Sequence, residues 1–168
     1  ACANLAKSAI ENYIKEKKVT NPSNDLPEEF LTRKSGVFVT IKKDGNLRGC
    51  TGTYLPAKNN IAEEIISNAI AAASEDYRFG PVQKEELPRL SYAVYILSKP
   101  KKVSSIENLN PKKYGIIVKS GLKTGLLLPD LERIDTAGKQ ISIACQKAKI
   151  DIKQEQIEIW RFKTKKYT

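Results

Sequence analysis

The sequence predicts an α+β fold in which antiparallel hairpins alternate with single amphipathic helices. Three observations carry this. Apolar residues recur at helical spacing over 3–18, 61–73 and 136–149. Alternating apolar and polar residues flank glycine-containing turns at 43–45 and 120–124, as hairpins require. The order hairpin, loop, helix, strand also occurs twice, which reads as an internal duplication of elements and not of residue identities. A chain of 168 residues suits one domain, 1–168, or two small lobes sharing one core.

In the first helix Leu5, Ala9, Ile10, Tyr13 and Ile14 share a stripe, and Lys15, Lys17 and Lys18 collect at its negative end. Turn formers fill 20–27, and a short connector leads to Gly36. Over 37–42, Val37, Val39 and Ile41 alternate with Phe38, Thr40 and Lys42, the period of a strand. The second strand of this hairpin, 46–51, admits two registers. A two-residue loop at Asp44-Gly45 sets Leu47 opposite Lys42 and Arg48 opposite Ile41. A three-residue loop sets Leu47 opposite Ile41 and Arg48 opposite Thr40. The second is preferred because it keeps Leu47 and Gly49 on the core face with the valines, and Arg48 and Cys50 on the other.

A loop over 54–60 offers Asn59 or Asn60 as cap to the helix of Ile61, Ile65, Ile66, Ala69, Ile70 and Ala73. A charged, aromatic turn at 75–81 follows, then Glu85-Glu86-Leu87 and a strand over 91–98. The second copy comprises strands 114–119 and 125–128, the helix 136–149 and a strand over 157–163.

Composition narrows the chemistry. There is no histidine, so Ser-His and Cys-His pairs and imidazole metal sites are excluded. Cys2, Cys50 and Cys145 lack C-x-x-C spacing, which argues for reduced thiols in the cytosol and against a disulfide framework or zinc knuckle. The stretch 119–125 lacks the order of a phosphate-binding loop. No metal or cofactor is therefore predicted. Apolar runs are too short and too charged for a membrane helix, and the first residues lack a signal-peptide pattern. With no methionine at all, the chain is expected to be processed or part of a longer polypeptide. The formal charge of +10 is mostly lysine scattered in pairs, Lys42 and Lys43 among them, and is expected to be solvated. Only Trp160-Arg161-Phe162-Lys163 approaches a nucleic-acid pattern.

The stretch Leu47-Arg48-Gly49-Cys50-Thr51-Gly52 concentrates the candidate chemistry. An arginine near a thiol favours thiolate, and backbone N–H groups around Gly49 and Gly52 can hold an anion. Against this, an unpaired cysteine in a strand is most often packing. Asp76 and Arg78 can pair with each other, or Arg78 can offer its fork to a ligand with Phe79 as an apolar wall. Glu85 or Glu86 can supply a carboxylate base. Cys50 is thus the candidate catalytic residue, and Arg48, Gly49, Thr51, Gly52, Asp76, Arg78, Phe79, Glu85 and Glu86 the candidate binding residues.

GVFVTIKKDGNLRGCTGTYLP, DYRFGPVQKEEL and LLLPDLERIDTAGKQISIACQKAKI, in this order, resemble the AMMECR family, named for the Alport syndrome, midface hypoplasia and elliptocytosis chromosomal region. The resemblance covers nearly the whole chain. The family motif usually reads LRGCIG, so Thr51 departs from it, as does Tyr77 where proline is usual. The resemblance implies a compact fold of two unequal lobes around a barrel-like, mostly antiparallel sheet. It also implies neighbours: a Memo-type domain, fused or separate, and a radical SAM protein, the AmmeMemoRadiSam grouping. It supplies no reaction. The function expected is a cytosolic accessory domain whose pocket at Arg48, Cys50, Asp76 and Arg78 binds an anionic small molecule or a partner segment. A thiol-dependent enzyme using Cys50 and a nucleic-acid-binding module are the alternatives.

Overall fold

The computed structural model describes residues 1–168, which divide into two compact units, 1–97 with 165–168, and 98–164. In the first unit the helices are α1 (Cys2–Glu16), α2 (Glu28–Thr32) and α3 (Ile61–Ser74). Its strands β1 (Val37–Lys43), β2 (Asn46–Thr53) and β3 (Leu90–Leu97) form a sheet with the last strand of the chain. The second unit has β4 (Lys101–Val103), β5 (Gly115–Ser120), β6 (Lys123–Leu127), α4 (Ala137–Ala148) and β7 (Glu158–Phe162), and β8 is Thr164–Tyr167. The predicted helices are therefore present, α1 ending at an αL cap on Lys17, whose N–H reaches Tyr13 O at 2.9 Å.

The eight strands form two antiparallel four-stranded sheets, β2-β1-β3-β8 and β4-β7-β5-β6, and not the barrel-like sheet implied by resemblance. A filled barrel takes about eight strands in one closed sheet; here they divide four and four, and each sheet keeps two edges. Buried apolar side chains likewise form two clusters where one shared core is expected from chain length. One gathers α1, α3 and β1 around Ile10, Val39 and Ile65; the other gathers β5 and α4 around Ile116, Val118 and Ala144.

The duplication is explicit in the topology. In each sheet the first hairpin strand is central, with its hairpin partner on one side and the strand after the helix on the other: β2-β1-β3 and β6-β5-β7. Contacts repeat too. Asn68 Nδ2 of α3 donates to Val37 O at 3.1 Å, and Gln140 Nε2 of α4 donates to Tyr114 O at 2.9 Å. One turn on, a side chain at Gly49 would meet Ala72 O at 2.3 Å, and one at Gly125 would meet Ala144 O at 2.2 Å. Val82 N–H reaches Ala73 O at 2.7 Å, as Ile150 N–H reaches Cys145 O at 2.9 Å. The fourth strands β4 and β8 come from the short Lys-rich segments that follow β3 and β7, and their periodicity is too brief to read.

Candidate functional site

The first hairpin turns on Asp44 and Gly45, both with positive φ (50° and 83°), which is the two-residue turn that Asp-Gly favours. This corrects the preferred three-residue loop. Leu47 lies opposite Lys42 and is exposed, while Gly49 lies opposite Ile41, so Arg48 is left as the extra residue of a bulge. The bulge removes the objection to the short turn, because it never sets the arginine against Ile41. It also delivers Gly49 to the core face, where the α3 carbonyl of Ala72 leaves no room for a Cβ.

Arg48 is spent inside the protein. Its Nε and Nη2 donate to the two Glu86 carboxylate oxygens at 2.9 and 2.8 Å, Nη1 to Gly80 O at 3.0 Å, and Nη2 also to Pro81 O at 3.1 Å. Lys43, expected to be solvated, donates to Glu86 Oε1 at 2.8 Å. Gln83 N–H donates to Glu86 Oε2 at 2.8 Å, closing a capping box on the 3-10 turn Lys84–Arg89. The Arg48 guanidinium, with this N–H and Lys43, holds the Glu86 carboxyl well below the usual carboxylate range.

Cys50 is half-buried opposite Thr40, with Sγ and Oγ1 3.4 Å apart. Its N–H donates to Asp76 Oδ2 at 2.9 Å. The anion at this strand is thus the protein's own carboxylate. Asp76 is buried, and it also accepts from Arg78 N–H, Nε and Nη2 at 3.2, 2.9 and 2.7 Å. Of the two alternatives for Asp76 and Arg78, the pair with each other is the one formed. The Arg78 guanidinium first, with the Cys50 and Arg78 N–H groups against the opposing effect of burial, pulls the Asp76 carboxyl down to about 2. In return Asp76 raises the Arg78 pKa, and the Cys50 side chain adds to that rise.

The remaining candidates fall around this lock. Thr51 lies half-buried opposite Val39, and Gly52 lies against the Phe38 ring, which a side chain there would strike. Phe79 is 39% exposed, with the Arg78 guanidinium 5.3 Å from its ring centre. Glu85 is exposed and outside the cluster, so of the two glutamates only Glu86 belongs to it.

Together these bonds fix the turn 75–81. Phe79 and Gly80 N–H groups donate to Asp76 O at 3.2 and 3.1 Å, and Arg48 takes the Gly80 and Pro81 carbonyls. Gly80 has φ 71°, which a side chain would strain. What this backbone presents outward is Tyr77, 93% exposed, with Phe79 and an Arg78 side chain 46% exposed.

A second buried carboxylate escaped the sequence reading. Glu64 of α3 accepts from Thr53 Oγ1 at 2.6 Å and from the N–H groups of Ala57 and Lys58 at 2.8 and 2.7 Å, latching the loop 54–60. Its one signal is a charge on the apolar stripe of α3, between Ile61 and Ile65. None of the three cysteines forms a disulfide, no three cysteine or acidic side chains cluster so as to hold a metal ion, and no helix is long and apolar enough to cross a membrane.

Comparison with known proteins gives concordant results. The AMMECR1 family model matches residues 3–167. A protein of Thermotoga maritima is 51% identical over 159 residues, covering 94% of this chain and 91% of its own length. A protein of Clostridium acetobutylicum is 46% identical over 148 residues, 88% of this chain but 31% of its own length. The crystal structure of an uncharacterized protein from Pyrococcus horikoshii, 30% identical, superposes with a TM-score of 0.90 over 98% of this chain and 88% of that one.

Proposed function

The chain belongs to the AMMECR1 family, and from that premise we propose that it is a non-catalytic binding module that recognises a partner polypeptide through the turn 75–81. One observation carries this reading: a turn whose Gly80 and Pro81 carbonyls are taken by Arg48, whose Arg78, Phe79 and Gly80 N–H groups are taken by Asp76, and whose Asp76 carboxylate is held by the Cys50 N–H presents Tyr77, Arg78 and Phe79 to solvent. Tyrosine and arginine dominate binding hot spots, and a fixed backbone lowers the ordering cost of association. Asp76 holds Nε and Nη2 of Arg78, leaving Nη1 for a carboxylate or carbonyl of the partner. The partner class we favour is a Memo-type protein or domain acting with a radical SAM protein, in the cytosol. The homologous segment inside the much longer Clostridium protein is consistent with a module that works joined to others.

The anion pocket is less well supported, because the Arg48 donors and the Cys50 N–H already have partners within the chain. For a thiol enzyme, the two carboxylates that bond to the strand of Cys50 are poor bases. Asp76 is held ionised by Arg78, Glu86 is shared among Arg48, Lys43 and Gln83, and a carboxylate of such depressed pKa is a weak proton acceptor.

The test is a titration of the purified Memo-type protein of the same genome against wild type and Tyr77→Ala/Phe79→Ala. Association should weaken roughly tenfold or more, with the unfolding midpoint unchanged. Full affinity in the double variant would remove the turn from the interface.

A further inference from the structure

A second candidate site lies wholly within the second unit and owes nothing to the turn 75–81. A cavity of about 280 Å³ is lined by Lys99, Lys101, Arg161 and Lys163, with Tyr114 and Ser98, and by no carboxylate. Some cations of this unit have acidic partners: Lys102 lies 3.5 Å from Glu158, and Lys123 lies 2.9 Å from Glu155. Lys101 and Arg161 are also direct cross-strand partners on β4 and β7, and like charges so placed destabilise a sheet unless something neutralises them.

The site is partly preorganised. Arg161 Nη1 donates to Asn108 O at 2.6 Å, and its guanidinium stacks 4.3 Å from the Tyr114 ring centre, which fixes the plane of the fork. Ser98 Oγ accepts from Lys163 N–H at 2.8 Å, which leaves the hydroxyl proton to donate. Burial alone would push the Tyr114 phenol up, yet the positive charges of Arg161, Lys113 and Lys163 bring it below its ordinary value.

We propose that this cavity binds a small phosphorylated anion, a phosphate monoester or a diphosphate, through Arg161, Lys101, Lys99 and Lys163. Four cations exceed what one carboxylate can neutralise, whereas a phosphate group brings about −1.5 to −2. The volume falls just below the roughly 300–1,000 Å³ of drug-sized sites, so the occupant is small. A nucleic-acid strand would want an open aromatic platform. Tyr114 already carries Arg161 at 4.3 Å and Lys113 at 5.3 Å on its ring.

The probes are inorganic phosphate and pyrophosphate, compared with chloride at equal ionic strength by thermal unfolding and calorimetric titration. Pyrophosphate should raise the melting temperature saturably, because a ligand of the native state stabilises it. Lys101→Gln/Arg161→Gln should weaken binding roughly tenfold or more. Lys99→Gln/Lys163→Gln removes two exposed side chains, so it should retain the fold and show a comparable loss. Lys34→Gln/Lys153→Gln removes the same charge elsewhere and should bind as wild type. The proposal falls if chloride reproduces the shift, if the control pair loses as much affinity as the cavity pairs, or if both cavity pairs bind as wild type. It also falls if a single-stranded oligonucleotide displaces pyrophosphate with steep salt dependence, since the face would then be a nucleic-acid surface.

Discussion

Gly49 of β2 and Gly125 of β6 meet their helices in the same way, each pressed on an alanine carbonyl that leaves no space for a Cβ. Around them the two units repeat a carboxylate as well. Glu86 accepts from Gln83 N–H, Lys43 and Arg48; Glu155 accepts from Asp151 N–H, Ser120 and Lys123. In both, a glutamate before the third strand grips a cation of the hairpin. The difference lies between the helix and that glutamate. The connection from Ala73 to Val82 contains 74–81, whereas that from Cys145 to Ile150 contains only 146–149. The longer connection holds Asp76, Arg78, Gly80 and Pro81, and Cys50 stands beside it where the second hairpin has Leu126. What the units share is scaffold. What the first adds to it is the candidate site.

The comparison can be broken most forcefully at the glycines. Gly49→Ala and Gly125→Ala should each destabilise by about 3 kcal/mol in urea unfolding, since a methyl must displace a helix backbone. A large loss from one alone would end their equivalence. The glutamate partners should separate next. Arg48 and Glu86 are each 13% exposed, so Arg48→Met takes the two-pronged partner from a largely buried carboxylate, leaving it Lys43 and the Gln83 N–H, and should cost about 3 kcal/mol. Lys123 is 45% exposed, and Lys123→Met should cost less than about 1 kcal/mol.

Asp76→Asn tests the addition specific to the first unit. A carboxylate with a folded pKa near 2, below its ordinary 3.8, adds stability that is fully present above about pH 4 and lost as the pH falls toward 2. The wild type should therefore melt above the variant at pH 5 and approach it below pH 2.5; a gap independent of pH would assign the loss to geometry instead of charge. Smallest of all, Tyr77→Ala should move stability by less than about 0.5 kcal/mol, as a 93% exposed side chain should. A larger change would show that Tyr77 is packed and not presented.

Much of the fold was legible because its signals are local. The alternation of Val37, Val39 and Ile41 and the isoleucine stripe of α3 are patterns of period 2 and 3.6 within one segment. The Asp76 and Arg78 pair could also be read, being two residues apart. The bulge at Arg48 could not. It depends on an α3 carbonyl and on Glu86, which lies 38 positions away. Lys43 read as solvated and Glu64 went unremarked because their partners, too, lie on other elements.

By itself, then, the sequence determined the order of the longer helices and strands and the repeat of hairpin, helix and strand, since periodicity and turn chemistry act over a few residues, while the short α2, β4 and β8 left no such signal. Only the tertiary structure decided what the residues do: that eight strands divide into two sheets, that Arg48 serves Glu86 and two carbonyls, and that Asp76 occupies the N–H of Cys50. A guanidinium or an edge-strand N–H has no role until the chain brings an acceptor to it, and hydrogen-bond reach is a distance in space with no counterpart in spacing along the sequence.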